Sequence, residues 1–72
     1  MTGASEIPLS PVARIIRNAG AERVSSDTVD TLAALMEEHA VLVTREALKL
    51  MHHAGRKTLR ATDITMAAEI LR

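Results

Sequence analysis

The side chains of this sequence that could do chemistry are its cations and its imidazoles. Arg14, Arg17 and Arg23 fall close together, and so do Arg45, Lys49, Arg56, Lys57 and Arg60. Clustered guanidinium and ammonium groups suit phosphate oxygens, because they neutralise charge and donate several hydrogen bonds at once. The three histidines invite a metal reading, but the spacing excludes a site within one chain. His52 and His53 are adjacent, so on a helix they diverge by about 100°, and His39 lies roughly 20 Å away along the same helix. Cysteine is absent, which removes thiolate ligands, thiol nucleophiles and disulfides. The spacing suggests no nucleophile-and-base pair, no Gly-rich phosphate loop and no paired-carboxylate cleft. The sequence therefore reads as a non-enzyme with neither cofactor nor metal.

Nine Lys plus Arg balance nine Asp plus Glu, so net charge alone argues for no polyanionic partner. The distribution says more. Residues 10–23 carry Arg14, Arg17 and Arg23 against Glu22, a balance of +2. Residues 24–44 carry Asp27, Asp30, Glu37 and Glu38 with no base, a balance of −4. Residues 45–60 carry the five later cations against Glu46, a balance of +4. If the two basic segments meet in space, they form a positive edge that the overall sum conceals; otherwise they are solvated helix faces.

The elements that must position these cations belong to a single small domain. The chain has 72 residues, of which 47% are hydrophobic, yet Phe, Trp and Tyr are missing and Ala fills twelve positions. Any core is thin, and a chain of this size buries only about 60% of the surface it exposes when unfolded. Without disulfides the remaining staple is a partner chain. No apolar run approaches the roughly 18 residues of a membrane span, and residues 1–12 have neither a basic region nor an apolar region of the kind that targets secretion, so the chain reads as soluble and untargeted.

Residues 1–9, with Gly3, Ser5 and Pro8, lack periodicity and read as a flexible tail preceding a domain over 10–72. Ser10 as N-cap and Pro11 in the first helical position predict a short helix over 11–19, with Val12, Ile15, Ile16 and Ala19 on one stripe and Gly20 ending it. Ser25 or Ser26 opens a second helix that nothing interrupts before Gly55. That is about 28 residues and about 42 Å, too long for its own chain to cover. Val29, Leu32, Ala33, Met36, Ala40, Val43, Ala47, Leu50, Met51 and Ala54 form its apolar stripe. After an extended stretch at Lys57, Thr58 and Leu59, Ile64, Ala67, Ala68 and Leu71 predict a third helix over 61–71. The architecture is all-α, short helix, long helix, short helix, with two copies crossing at their central helices to share a core.

From Pro8 to about Ala68 this sequence resembles an archaeal histone. The resemblance is carried by Pro8-Leu9-Ser10-Pro11, Arg14-Ile15-Ile16-Arg17 and Ala19-Gly20-Ala21-Glu22-Arg23-Val24-Ser25, and above all by His53-Ala54-Gly55-Arg56-Lys57-Thr58 followed by Ala61, Asp63 and Ile64. It implies the histone fold and an antiparallel handshake dimer, in which Arg23 to Ser25 of one chain run beside Lys57 to Leu59 of the other as short parallel strands. It further implies binding and bending of duplex DNA through paired first-helix N-termini and a loop pair at each end, without base-specific readout. No aromatic is present to stack on unpaired bases, which also points to a duplex.

By the same resemblance the DNA-facing residues are Arg14, which matches the arginine entering the minor groove, together with Arg17, Arg23, Lys57, Thr58 and Arg60. Arg56 and Asp63 match an ion pair that steadies the second loop. Leu50, His53 and Asp63 match a contact between dimers that builds tetramers or filaments on DNA, and Gly20 matches a small residue between successive turns of such a filament. The partners implied are DNA, a second copy or a paralogous histone, in a cytoplasmic, chromosome-associated setting.

Three features depart from this pattern. The chain is neutral where such proteins are usually basic, and Ala34, Val41 and His52 stand where relatives often carry Lys or Arg, which predicts weaker binding that salt displaces more easily. Ala40-Val41-Leu42-Val43 is apolar around the whole helix circumference. Leu42 is either an extra protein contact or a tolerated exposed leucine. The alternative reading is therefore a histone-fold interaction module with weak DNA binding that pairs with other histones.

Overall fold

The structure, a computed structural model, describes residues 6–72. It has three helices, α1 (Leu9–Asn18), α2 (Ser26–His53) and α3 (Ala61–Ile70), and no strand among the described residues. Contacts divide the chain near the middle of α2, between Glu38 and His39, into two units.

In the first unit α1 begins two residues before the expected Pro11. Pro8 is its N-cap, with φ −60° and ψ 134°, and no side chain caps the end. The proline ring sets φ, and an extended ψ turns the chain straight into the helix at Leu9. Ser10 is therefore not the cap but the second helical residue, and Pro11 the third. A proline is tolerated there because the amides of the first turn have no helical partner to lose. The other end closes on Gly20 at φ +128°, whose N–H donates to Arg17 O at 2.9 Å while Ala21 N–H reaches back to Ile16 O at 3.4 Å. Gly20 is thus required by the backbone, since a side chain at that φ is strained. Ser25 caps α2, its Oγ accepting from Thr28 N–H at 3.2 Å. Val12, Val29 and Ala33 are buried, with Ile7, Ala13, Ile16, Val24, Leu32 and Met36 packed on them. Of the segment read as a tail, residues 1–5 lie outside the described residues. Glu6 N–H donates to Glu37 Oε1 at 3.1 Å, and Ile7 packs on the core.

In the second unit Val43, Ala47 and Ala67 are buried, with Leu50, Leu59 and Ile64 packed on them, and Met51 is also buried. α2 ends as α1 does: Gly55, at φ +73°, donates its N–H to His52 O at 2.9 Å, and Arg56 N–H reaches Met51 O at 3.1 Å. α3 stops at Ile70, one residue short of expectation, where helix ends ordinarily fray. Residues 23–25 and 57–59, expected to pair as strands between two copies, are unpaired loop segments in the single chain. A ladder needs a neighbour.

Among the described residues the buried apolar set is Val12, Val29, Ala33, Val43, Ala47, Met51 and Ala67, with no leucine or isoleucine in it. Leu9, Ile15, Leu35, Val41, Leu42, Met66, Ile70 and Leu71 are all more than 40% exposed. The chain thus exposes more large aliphatic side chains than it buries. Ile15 and Leu71, counted from the sequence on inward stripes, are among the uncovered ones.

Candidate nucleic-acid interface

The second loop is built around one carboxylate. Asp63, in the first turn of α3, is 2% exposed and receives a bidentate guanidinium: Arg56 Nη1 donates to Oδ2 at 2.9 Å and Nη2 to Oδ1 at 2.7 Å. Oδ2 also accepts the backbone N–H of Arg60, the N-cap of α3, at 2.9 Å. Arg56 Nη1 then donates to Thr58 O at 3.1 Å, so one side chain ties the end of α2, the middle of the loop and the start of α3. A buried charge is tolerable only when paired and hydrogen-bonded, and this one is both. The Arg56 guanidinium, with help from the Arg60 amide, holds the Asp63 carboxyl at about 2, against the upward push of burial. The same hydrogen bonds push Arg56 further up.

This tether leaves the outward side of the loop available. Lys57, Thr58 and Arg60 are all exposed. Among the described residues Lys57 makes no ion pair, and the Thr58 hydroxyl makes no hydrogen bond although its carbonyl is engaged. Lys49 differs: its ammonium lies 3.5 Å from Glu46.

The other cations belong to the first unit. Arg14, Arg17 and Arg23 are exposed, and Arg17 and Arg23 form no ion pair among the described residues. Arg14 Nη1 donates to Ser10 Oγ at 3.4 Å, which folds its guanidinium back along the first turn of α1. Two prolines thin the supply of free amides there. Pro8 and Pro11 have no N–H, so Leu9 and Ser10 are the donors of the α1 N-terminus. The six candidate DNA contacts thus fall into two groups, one in each unit.

Leu50, His53 and Asp63 have three different environments. Leu50 is half-buried on the second core cluster, His53 is exposed at the last position of α2, and Asp63 is buried with both oxygens accepting hydrogen bonds. Sequence reasoning missed the helix start at Leu9, the Glu6 to Glu37 bond and the exposure of Ile15. The signal for the first was present in Pro8, whose fixed φ makes it as good an entry to a helix as Ser10.

A family described as histone-like transcription factor (CBF/NF-Y) and archaeal histone matches residues 5–68, nearly the whole chain. The chain belongs to this family. It is 46% identical over 65 residues to one subunit of the archaeal histone HAN1 of Thermococcus zilligii, a match covering 90% of this chain and 97% of that protein. It is 38% identical over 63 residues to probable archaeal histone 3 of Methanocaldococcus jannaschii, covering 88% of this chain and 94% of that protein. The order of short, long and short helices is that of the histone fold. Archaeal histones are structural chromatin proteins that bind DNA and dimerise through that fold, and they are not enzymes. No described helix of this chain is long and apolar enough to cross a membrane.

Proposed function

We propose that two copies of this histone pair in an antiparallel handshake and bend duplex DNA along one edge, without reading its sequence. The observation that carries the reading is the division of labour in the single chain. Its large aliphatic side chains are uncovered, while its loop cations are held outward by a buried ion pair. A second copy covers the first need. An open groove of about 430 Å³ lined by Ile16, Thr31, Leu32 and Leu35, with Asp27 and Thr28 at its polar side, is suited to an apolar helix face. Pairing then brings Arg23 of one chain beside Lys57, Thr58 and Arg60 of the other at each end, with Arg14 and Arg17 of both chains in the middle. Phosphate contacts of this kind position a protein on a duplex but carry no sequence information. Dimers extend into tetramers or filaments on DNA through Leu50 and His53, with Asp63 acting through the loop it anchors, and the protein works at the chromosome in the cytoplasm.

The test is a mobility-shift titration across salt concentrations with Arg14→Ala and Lys57→Ala. Each phosphate contact removed lowers the salt slope by about 0.9. Unchanged binding by both variants removes the proposed surface.

A second reading, in which the chain is chiefly a partner for other histones and binds DNA weakly, is favoured by the equal numbers of acidic and basic residues. The relative from Thermococcus zilligii is itself named as one component of a larger histone. Sedimentation of this chain mixed with a paralogue separates the readings: preferential mixed pairing with little DNA retention supports the second.

A further inference from the structure

Helix α2 runs from Ser26 to His53, so its midpoint falls between His39 and Ala40. His39 is exposed and makes no hydrogen bond or ion pair among the described residues. Its surroundings on the helix are apolar. Leu35 and Leu42 lie one turn before and one turn after it, each within about 60° around the axis, and they are 54% and 56% exposed. A spacing of four and then three residues is that of a seam between two helices, with the imidazole in its centre. Ala40 is exposed too, although it falls in the middle of the apolar stripe whose other members Val29, Ala33, Val43, Ala47 and Met51 are buried.

Resting on the reading that two copies pair through their central helices, we propose that His39 meets its own copy on the two-fold axis and makes the pairing weaken as pH falls. In a two-fold contact residue i of one chain touches j of the other and j touches i, so a residue on the axis touches itself. Antiparallel helices crossing at their midpoints set His39 against the partner's His39, and Leu35 against the partner's Leu42. Two neutral imidazoles satisfy each other, one ring N–H donating to the bare nitrogen of the other. Once both are protonated each ring carries only donors and a positive charge, and the pair repels inside a seam of leucines.

No nearby charge relieves that repulsion. The residues one turn away on α2, Leu35, Met36, Leu42 and Val43, are apolar. Glu38 lies about 100° around the helix and Glu37 about 160°, where Glu37 holds the Glu6 backbone. Glu46 shares the face of His39 but lies about 10 Å along the axis and is paired with Lys49. On the flanking helices Asp63 is held by Arg56, Glu69 by Arg72, and Arg14 leans on Ser10. Arg17 makes no hydrogen bond to His39 among the described residues.

The experiment is sedimentation equilibrium without DNA on the unaltered chain and on His39→Gln, from about pH 7.5 to about pH 5.5, the interval in which imidazoles titrate. Two unit charges about 6 Å apart at an effective dielectric of about 20 set a ceiling near a hundredfold. The dissociation constant of the unaltered chain is expected to rise at least about tenfold over this interval, and that of His39→Gln to change by less than about twofold. Because the chain has no cysteine, His39→Cys supplies a single thiol for a second measurement. On oxidation it is expected to give a covalent dimer, whereas Ala34→Cys, about 140° around the helix, is not. A dimer with the same pH dependence in both chains, or one in which His39→Cys fails to cross-link, overturns the histidine pair alone. A monomer at about pH 7.5 overturns the dimer reading itself.

Discussion

Diluting this protein tenfold should lower its melting temperature by about 5 °C. The reasoning starts from the uncovered residues: a single chain whose buried apolar set is Val12, Val29, Ala33, Val43, Ala47, Met51 and Ala67 has too little core to stand alone, so folding and pairing are one event. The unit that melts is then two chains of 72 residues. At about 0.7 kcal/mol per residue its unfolding enthalpy is about 100 kcal/mol near 60 °C. For a dimer melting to two unfolded chains the reciprocal melting temperature shifts by R ln 10 divided by that enthalpy, which at about 333 K corresponds to about 5 °C for each decade of concentration. The assay is circular dichroism at 222 nm, followed through a melt at three concentrations spanning two decades, about 10 °C in all by the same arithmetic. A melting temperature that stays constant over that range refutes the reasoning, because a monomeric transition has no concentration term. Leu35→Ala should lower the whole series without changing its slope, since it removes apolar cover and not the stoichiometry.

Three further outcomes follow from single residues. The Asp63 carboxyl is held at about 2, below its value of about 3.9 in an unfolded chain, so its contribution is complete above about pH 4 and is lost as pH falls toward about 2; the gap in melting temperature between the unaltered chain and Asp63→Asn should close over that interval and be constant above it. Gly55→Ala, at φ +73° with no atom within 4 Å of the added Cβ, isolates the backbone cost and should destabilise by about 1 to 2 kcal/mol in urea unfolding, with Gly55→Asn costing less. Ala47→Leu, at a position that is 0% exposed, should cost about 1 to 3 kcal/mol by overpacking, whereas the same change at exposed Ala34 should be nearly neutral.

The fold was legible where backbone chemistry and periodicity agreed. Gly20 and Gly55 end helices because the chain must turn left-handed there, and no residue between Ser26 and His53 breaks a helix. The start of α1 was less legible because Pro8-Leu9-Ser10-Pro11 contains two good openings in succession, and local sequence does not choose between them. Periodicity identified the apolar positions but not what covers each. Ile15 and Val12 lie on one stripe, yet Val12 is 1% exposed and Ile15 54%, since a stripe serving both a chain and its partner carries no mark dividing the two uses. The cations of the site were visible as charge clusters. Their arrangement depended on Asp63, a lone carboxylate whose importance arises from a contact seven residues away and from burial, neither of which spacing alone reveals.

The Arg56 tether has a consequence for encounter with a duplex. A loop that must freeze on contact surrenders conformational freedom at that moment, and affinity drops by the cost of ordering it. Here Thr58, Arg60 and the start of α3 are already fixed by a guanidinium that faces inward, so Lys57 and its neighbours arrive preshaped. Stiffening that is completed during folding leaves counterion release as the main variable at docking, and ionic strength then acts as the natural dial on how long the protein stays seated.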